Sequence, residues 1–155
     1  MEILAQYHPL LVHFPIAFFI LYFIFESAGI IFNKEYLLKS AVIILTLGVV
    51  GAVESVLTGN QAERLLKVQG VLSPAIHDIV EEHESWATIT LWFFFFVLVL
   101  RAFLTLNKRF VGKIRYLFVM FSLIGVFLIY KTGEYGGKLV FDHGAGTKIL
   151  IENSK

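Results

Sequence analysis

Imidazole is the side chain in this protein best suited to chemistry. It is the commonest metal ligand and it titrates near neutral pH. The chain has five histidines: His8, His13, His77, His83 and His143. Two open the chain in Tyr7-His8-Pro9-Leu10-Leu11-Val12-His13-Phe14-Pro15, where the first long apolar run begins. Proline is tolerated in a first helical turn. A helix starting near Pro9 leaves His8 just outside and places His13 in its first turn. His83 stands in Glu81-Glu82-His83-Glu84, and His143 follows the fourth apolar run. His13, His83 and His143 then come from three helices at similar depth, which is what a haem or metal site needs. Four inward candidates could hold one haem b or two. Two imidazoles on opposite faces of a porphyrin give a b-type centre tuned by burial and outer hydrogen bonds. The bland alternative for each ring is hydrogen bonding at a membrane boundary.

The elements that position these rings follow from composition. Of 155 residues, 57% are hydrophobic and 16 are phenylalanine. Apolar content is above the soluble range and charge is scarce. The length allows one domain. The net charge of +1 gives nucleic acid no foothold. The chain lacks cysteine, which excludes disulfides, thiolate metal sites and covalent haem attachment through C-x-x-C-H. The first residues lack the positive region of a signal peptide, and the first apolar run is too long for one.

Apolar runs of about 20 residues can cross a bilayer as helices. Four are present, about 10–32, 37–57, 86–106 and 114–130. Two short turns, a polar loop over 58–85 and a C-terminal extension over 131–155 connect and follow them. The expected fold is an all-α membrane protein, an up-down-up-down bundle of four transmembrane helices. Lys34, Lys39, Arg101, Lys108, Arg109, Lys113 and Arg115 cluster at the two short turns, whereas Glu81, Glu82 and Glu84 lie at the other end. The positive-inside rule then puts both termini and all five histidines outside. Tyr7, Trp86 and Tyr130 fit an outer aromatic belt, Tyr36 and Tyr116 an inner one.

Helical angle sorts the faces. Ser73 is a helix cap and Pro74 fits a first helical position, so a helix from there runs into span three. At about 100° per residue, Ile76, Ile79, Val80, His83, Ala87 and Thr90 share one stripe. His83 points into the bundle, and His77, roughly 120° away, is a solvated residue. If span four stays helical past Tyr130, Lys131, Glu134 and Lys138 face water. Gly133, Gly136, Gly137, Val140 and His143 then face inward. A glycine face implies close approach of something, either a neighbouring helix or a flat macrocycle. In span two, Gly48, Gly51, Ala52, Ser55, Gly59 and Ala62 read as helix packing. Glu26 reads as a structural ion pair with Lys39 or Arg101. Glu54 is either a proton acceptor from a quinol or a snorkelling surface acid. Arg64, Lys67, Lys131 and Lys138 are candidates for haem propionates. No H-E-x-x-H, G-x-S-x-G, Walker or dinucleotide motif is present.

The opening H-P-x-x-V-H-F-P, His8 to Pro15, resembles the signature of a bacterial membrane family, domain-of-unknown-function family 2231. Thr58-Gly59-x-x-Ala62, His83-Glu84 and Gly136-Gly137-x-Leu139-Val140-x-x-His143-Gly144 continue the resemblance in order along nearly the whole chain. It implies a four-helix protein of the bacterial inner membrane, associated or fused with cytochrome c or Rieske-type domains, and hence respiratory electron transfer. The motif histidines map onto His8, His13, His83 and His143. The leading expectation is a b-type cytochrome subunit passing electrons between quinol and a periplasmic carrier or larger complex. The alternatives are a cofactor-free assembly subunit and a copper- or metal-handling protein.

Overall fold

Uninterrupted apolar sequence with few helix breakers builds long helices. The computed structural model describes residues 4–68, 70 and 72–145. A 3₁₀ turn, Ala5–Tyr7, leads into α1 (His8–Leu11) and α2 (His13–Ile31), then α3 (Glu35–Val68), α4 (Pro74–Leu106) and α5 (Ile114–Phe141). No strand occurs among the described residues. Four helical segments are long and apolar enough to cross a membrane: Ala5–Ile31, Glu35–Val68, Ile76–Leu106 and Ile114–Phe141. The protein is an all-α, four-span membrane bundle.

The helices outrun the apolar segments. At about 1.5 Å per residue, the 34 residues of α3 reach about 51 Å, against a hydrocarbon core of about 30 Å. The expected loop over 58–85 is therefore corrected over 58–68, while the helix expected from Ser73 into span three is present. Residues 58–68 continue α3, and 74–85 are the first turns of α4. Ala62-Glu63-Arg64-Leu65-Leu66-Lys67 keeps helical periodicity while losing hydropathy, so polar composition ends the span without ending the helix. Ser73 caps α4 by accepting from the Ile76 N–H at 3.4 Å, with Pro74 in the first turn. Likewise 131–141 extend α5. Residues 146–155 of the expected extension lie outside the described residues.

Neighbouring helices pack in a ring, α2 on α3, α3 on α4, α4 on α5 and α5 on α2. The diagonal helices α2 and α4 run parallel and meet through side chains. Their inward residues are His8, Val12, Pro15, Phe19, Tyr22 and Glu26 on one, and His83, Ala87, Thr90, Phe94, Val97 and Arg101 on the other; all are buried or half-buried. Both rows advance by alternate steps of four and three, which keeps a seam facing its partner. Each residue of the first row corresponds in number to the residue 75 higher in the second, and two of these pairs of positions touch. Phe19 stacks on Phe94 with centroids 3.7 Å apart and planes 4° from parallel. Glu26 accepts from Arg101 Nε at 2.9 Å, with side chains 0% and 2% exposed. Arg101 is the partner that the ion-pair reading required, and the Phe110 ring covers its guanidinium at 3.3 Å.

The same offset of 75 relates the turns. After α2, Asn33 takes φ 50 and the Lys34 N–H donates to the Gly29 carbonyl. After α4, Lys108 takes φ 54 and the Arg109 N–H donates to the Leu104 carbonyl. Both are left-handed helix caps that return the chain. In each hairpin the first helix drops a phenylalanine into a glycine notch of the second. Phe19 lies on Gly48, and Phe94 lies on Gly125. The bundle is thus two similar hairpins facing each other about an axis along the membrane normal.

Candidate functional site

Two inward histidines stand at one level at the end of the bundle remote from the short turns. Glu26 and Arg101 are bonded, and His8 and His83 each lie 18 residues before them. Eighteen residues make about five turns, or about 27 Å. Both rings therefore return to the inward face at one level.

Each ring rests on the neighbouring helix of its hairpin. A Cβ added at Gly59 would stand 3.1 Å from His8 Cε1, and one at Gly136 would stand 3.1 Å from His83 Cε1. Glycine is required at both notches for the imidazole to lie so close. Each Nδ1 is also anchored. His83 Nδ1 is 3.0 Å from the Thr132 carbonyl oxygen. A carbonyl only accepts, so Nδ1 carries the proton. His8 Nδ1 is 3.0 Å from Thr58 Oγ1. The Thr58 hydroxyl donates its single hydrogen to its own helix, toward Glu54 O and Ser55 O at 3.0 and 3.1 Å. With its hydrogen committed there, it accepts from His8 Nδ1–H. In the neutral form both rings thus carry the proton on Nδ1 and a lone pair on Nε2. Neither Nε2 has a hydrogen-bond partner among the described residues. A metal-ligating histidine takes this form, with its other nitrogen tied to a carbonyl or hydroxyl.

The expected four-histidine set is corrected. His13 is exposed. The 3₁₀ turn begins at Ala5, so His8 is already helical. Five residues turn the chain by about 140°, and with His8 inward His13 faces out. Pro15 has no N–H for the Leu11 carbonyl. The helix loosens at Val12 there, without reversing this geometry. His143 is half-buried in the turn after α5 and makes no side-chain hydrogen bond among the described residues. It lies seven residues beyond Gly136, about 10 Å further out than the His83 level. His77 is half-buried beside Glu81. No group of three or more His, Cys, Asp or Glu side chains suited to a metal ion gathers among the described residues.

The glycine face is also narrower than expected. Gly136 is covered by His83, Gly133 has nothing within 4 Å, and Gly137 meets only Phe141 of its own helix at 4.0 Å. The close approach that Gly136 permits is to an imidazole. The small residues of α3 do pack helices, Gly48 against Phe19 and Gly51 against Pro15. Lys131 and Lys138 both bind Glu134, and Lys67 binds Glu63. Arg64 and Glu54 are exposed. Sequence reasoning missed Thr58 and Thr132 as anchors, because each needs the hairpin geometry to become a partner of its histidine.

A protein-family profile described as predicted membrane protein (DUF2231) matches residues 5–149. No curated protein and no solved structure matches.

Proposed function

Because the chain belongs to the DUF2231 family of predicted membrane proteins, we propose that it is a membrane electron-transfer subunit whose prosthetic group is held by His8 and His83. The observation that carries this reading is the pair of inward imidazoles at one level, each tied through Nδ1 and each with a free Nε2 lone pair. The donor set fits a haem b, which His8 and His83 would hold with one imidazole from each hairpin. Haem supplies one-electron redox chemistry when bound. The two rings are equivalent in the hairpin repeat, so the reading is one haem rather than two.

The chain's own residues do the rest. Thr58 and Thr132 fix the rotation and tautomer of the rings and raise their basicity. Gly59 and Gly136 set how close each ring lies to its wall. The apolar layers below, beginning with Pro15 and Phe19, exclude water from the inner side of the site. Arg64, exposed and without an ion pair among the described residues, is a candidate cation for a propionate. The charge bias of the short turns supports an outside location for the histidine end in a bacterial inner membrane. Electrons would then pass between membrane quinol, with Glu54 as proton acceptor, and a cytochrome c, a Rieske-type partner or a larger complex.

A reduced-minus-oxidised spectrum of the full chain, expressed with adequate haem, tests this directly. Soret and α bands are expected. They are lost in His8→Ala and in His83→Ala and kept in His13→Ala. Absence of bands in the wild type overturns the reading. The second reading is a cofactor-free assembly subunit. The glycine notches favour it, because a ring that seats on a helix and bonds its backbone also locks packing. Full stability and partner binding after haem depletion would support that reading. Copper suits an imidazole pair as well, and metal analysis by mass spectrometry separates it from iron.

A further inference from the structure

At the end opposite the histidines, a groove opens between the end of α2 and the start of α5. Ile30, Ile31, Asn33, Lys113, Arg115 and Tyr116 line it. The first span ends at Ile31 and the fourth begins at Ile114. The groove therefore straddles the boundary between acyl chains and head groups. Its wall is apolar on the membrane side, with Ile31 66% exposed. Its rim is cationic, and neither cation is neutralised. The Lys113 side chain has no hydrogen bond or ion pair among the described residues; only its backbone carbonyl is used, accepting from the Tyr116 N–H. Arg115 spends its donors on neutral oxygens, Nε on the Phe110 carbonyl at 3.0 Å and Nη1 on Asn33 Oδ1 at 3.2 Å. Those bonds hold the guanidinium in place without cancelling its charge. Two acids act on Arg115, and each is held by another cation, Glu35 by Lys39 at 2.9 Å and Glu26 by Arg101 at 2.9 Å.

We propose that this groove binds an anionic phospholipid, its phosphodiester between Lys113 and Arg115 and its first acyl carbons against Ile30 and Ile31. Two uncompensated cations above an apolar wall match that ligand in charge and in depth. Tyr116, 61% exposed at the rim, supplies a hydroxyl at head-group level, where tyrosine is enriched. A basic pocket beside membrane helices is the usual form of such a site.

The test uses the full chain in nonionic detergent, with phosphatidylglycerol or phosphatidylcholine added and retained lipid read by native mass spectrometry. Phosphatidylglycerol should be retained in preference to phosphatidylcholine. Each interfacial cation contributes about fivefold. Lys113→Gln should therefore weaken phosphatidylglycerol about fivefold, and Lys113→Gln with Arg115→Gln about twenty-five-fold. Lys108→Gln, at the same end but outside the groove, should change nothing. The Lys113 side chain makes no bond among the described residues, so its variant reads binding without a folding defect. Equal retention of the two lipids overturns the proposal, as does a Lys113→Gln protein that binds like wild type. Displacement of the lipid by equimolar inorganic phosphate would mark a plain anion site and also overturn it.

Discussion

Two glycines within one turn of α5, Gly133 and Gly136, provide a paired test of the His83 seat. Gly136→Ala places a methyl carbon 3.1 Å from His83 Cε1 and 3.4 Å from its Nδ1. Carbon atoms settle at about 3.5–4.0 Å, so the ring must retreat by about 0.5 Å. Thr132 lies four residues earlier on the same helix, so retreat from Gly136 is also retreat from the Thr132 carbonyl. The 3.0 Å bond then stretches toward about 3.5 Å, where hydrogen bonding fails. Its loss costs about 1 kcal/mol. Replacing a mid-helix glycine by alanine returns about 1 kcal/mol. Overall stability should therefore stay within about 1 kcal/mol of wild type. Retention of the prosthetic group should fall about 10- to 100-fold, as when an outer partner of a ligand is lost. Gly133→Ala meets nothing within 4 Å and should raise stability by up to about 1 kcal/mol with retention unchanged. Thermal unfolding in detergent reads the first quantity, and absorbance after gel filtration the second. A cofactor-independent readout is nitrogen NMR of histidine-labelled protein, in which two rings should report Nδ1–H with a bare Nε2. If Gly136→Ala matches Gly133→Ala in both retention and ring signals, the notch does not hold His83 and the anchoring argument is wrong.

Arg101→Met leaves Glu26 buried without its cation and should destabilise by about 3–5 kcal/mol, while Glu26→Gln with Arg101→Met should recover much of that loss; a double-mutant cycle on thermal unfolding measures it. Gly125→Ala drives a methyl into the Phe94 ring, which is 1% exposed and stacked on Phe19. Overpacking there should cost about 1–3 kcal/mol, and an unfolding midpoint equal to wild type would refute the tight contact. The chain has no cysteine, so Asn107→Cys and Asp142→Cys each give a single label site, both exposed. In intact cells an impermeant maleimide should label Asp142→Cys and spare Asn107→Cys; the reverse pattern inverts the orientation.

Hydropathy makes the four spans legible, because lipid depth is a composition signal. Helix ends are not, since Thr58 to Val68 lose hydropathy but keep helical period. His83 is placed correctly because Ile76, Val80 and Thr90 fix its stripe. The Ser73 cap and the Glu26 ion pair are readable for similar local reasons. His8 and His13 exchange roles because nothing local marks the chain before Pro9 as helical, so the angle between the two rings does not enter. The face from Gly133 to His143 reads as uniformly inward. Only contact distances distinguish Gly136, which carries an imidazole, from Gly133, which carries nothing. The threonine anchors depend on how the two helices of each hairpin pair, which a single sequence does not encode locally.

The Glu26–Arg101 contact fixes more than local packing. It sits on the same two parallel rods as the imidazoles, about 27 Å along both. A slip of one rod by a single residue, about 1.5 Å, would pull this ion pair open with no water to receive either charge. Bilayers that differ in thickness can tilt the whole assembly without sliding one rod past the other. The spacing of the imidazoles is thereby insulated from lipid chain length, like a gauge set from a datum at its far end.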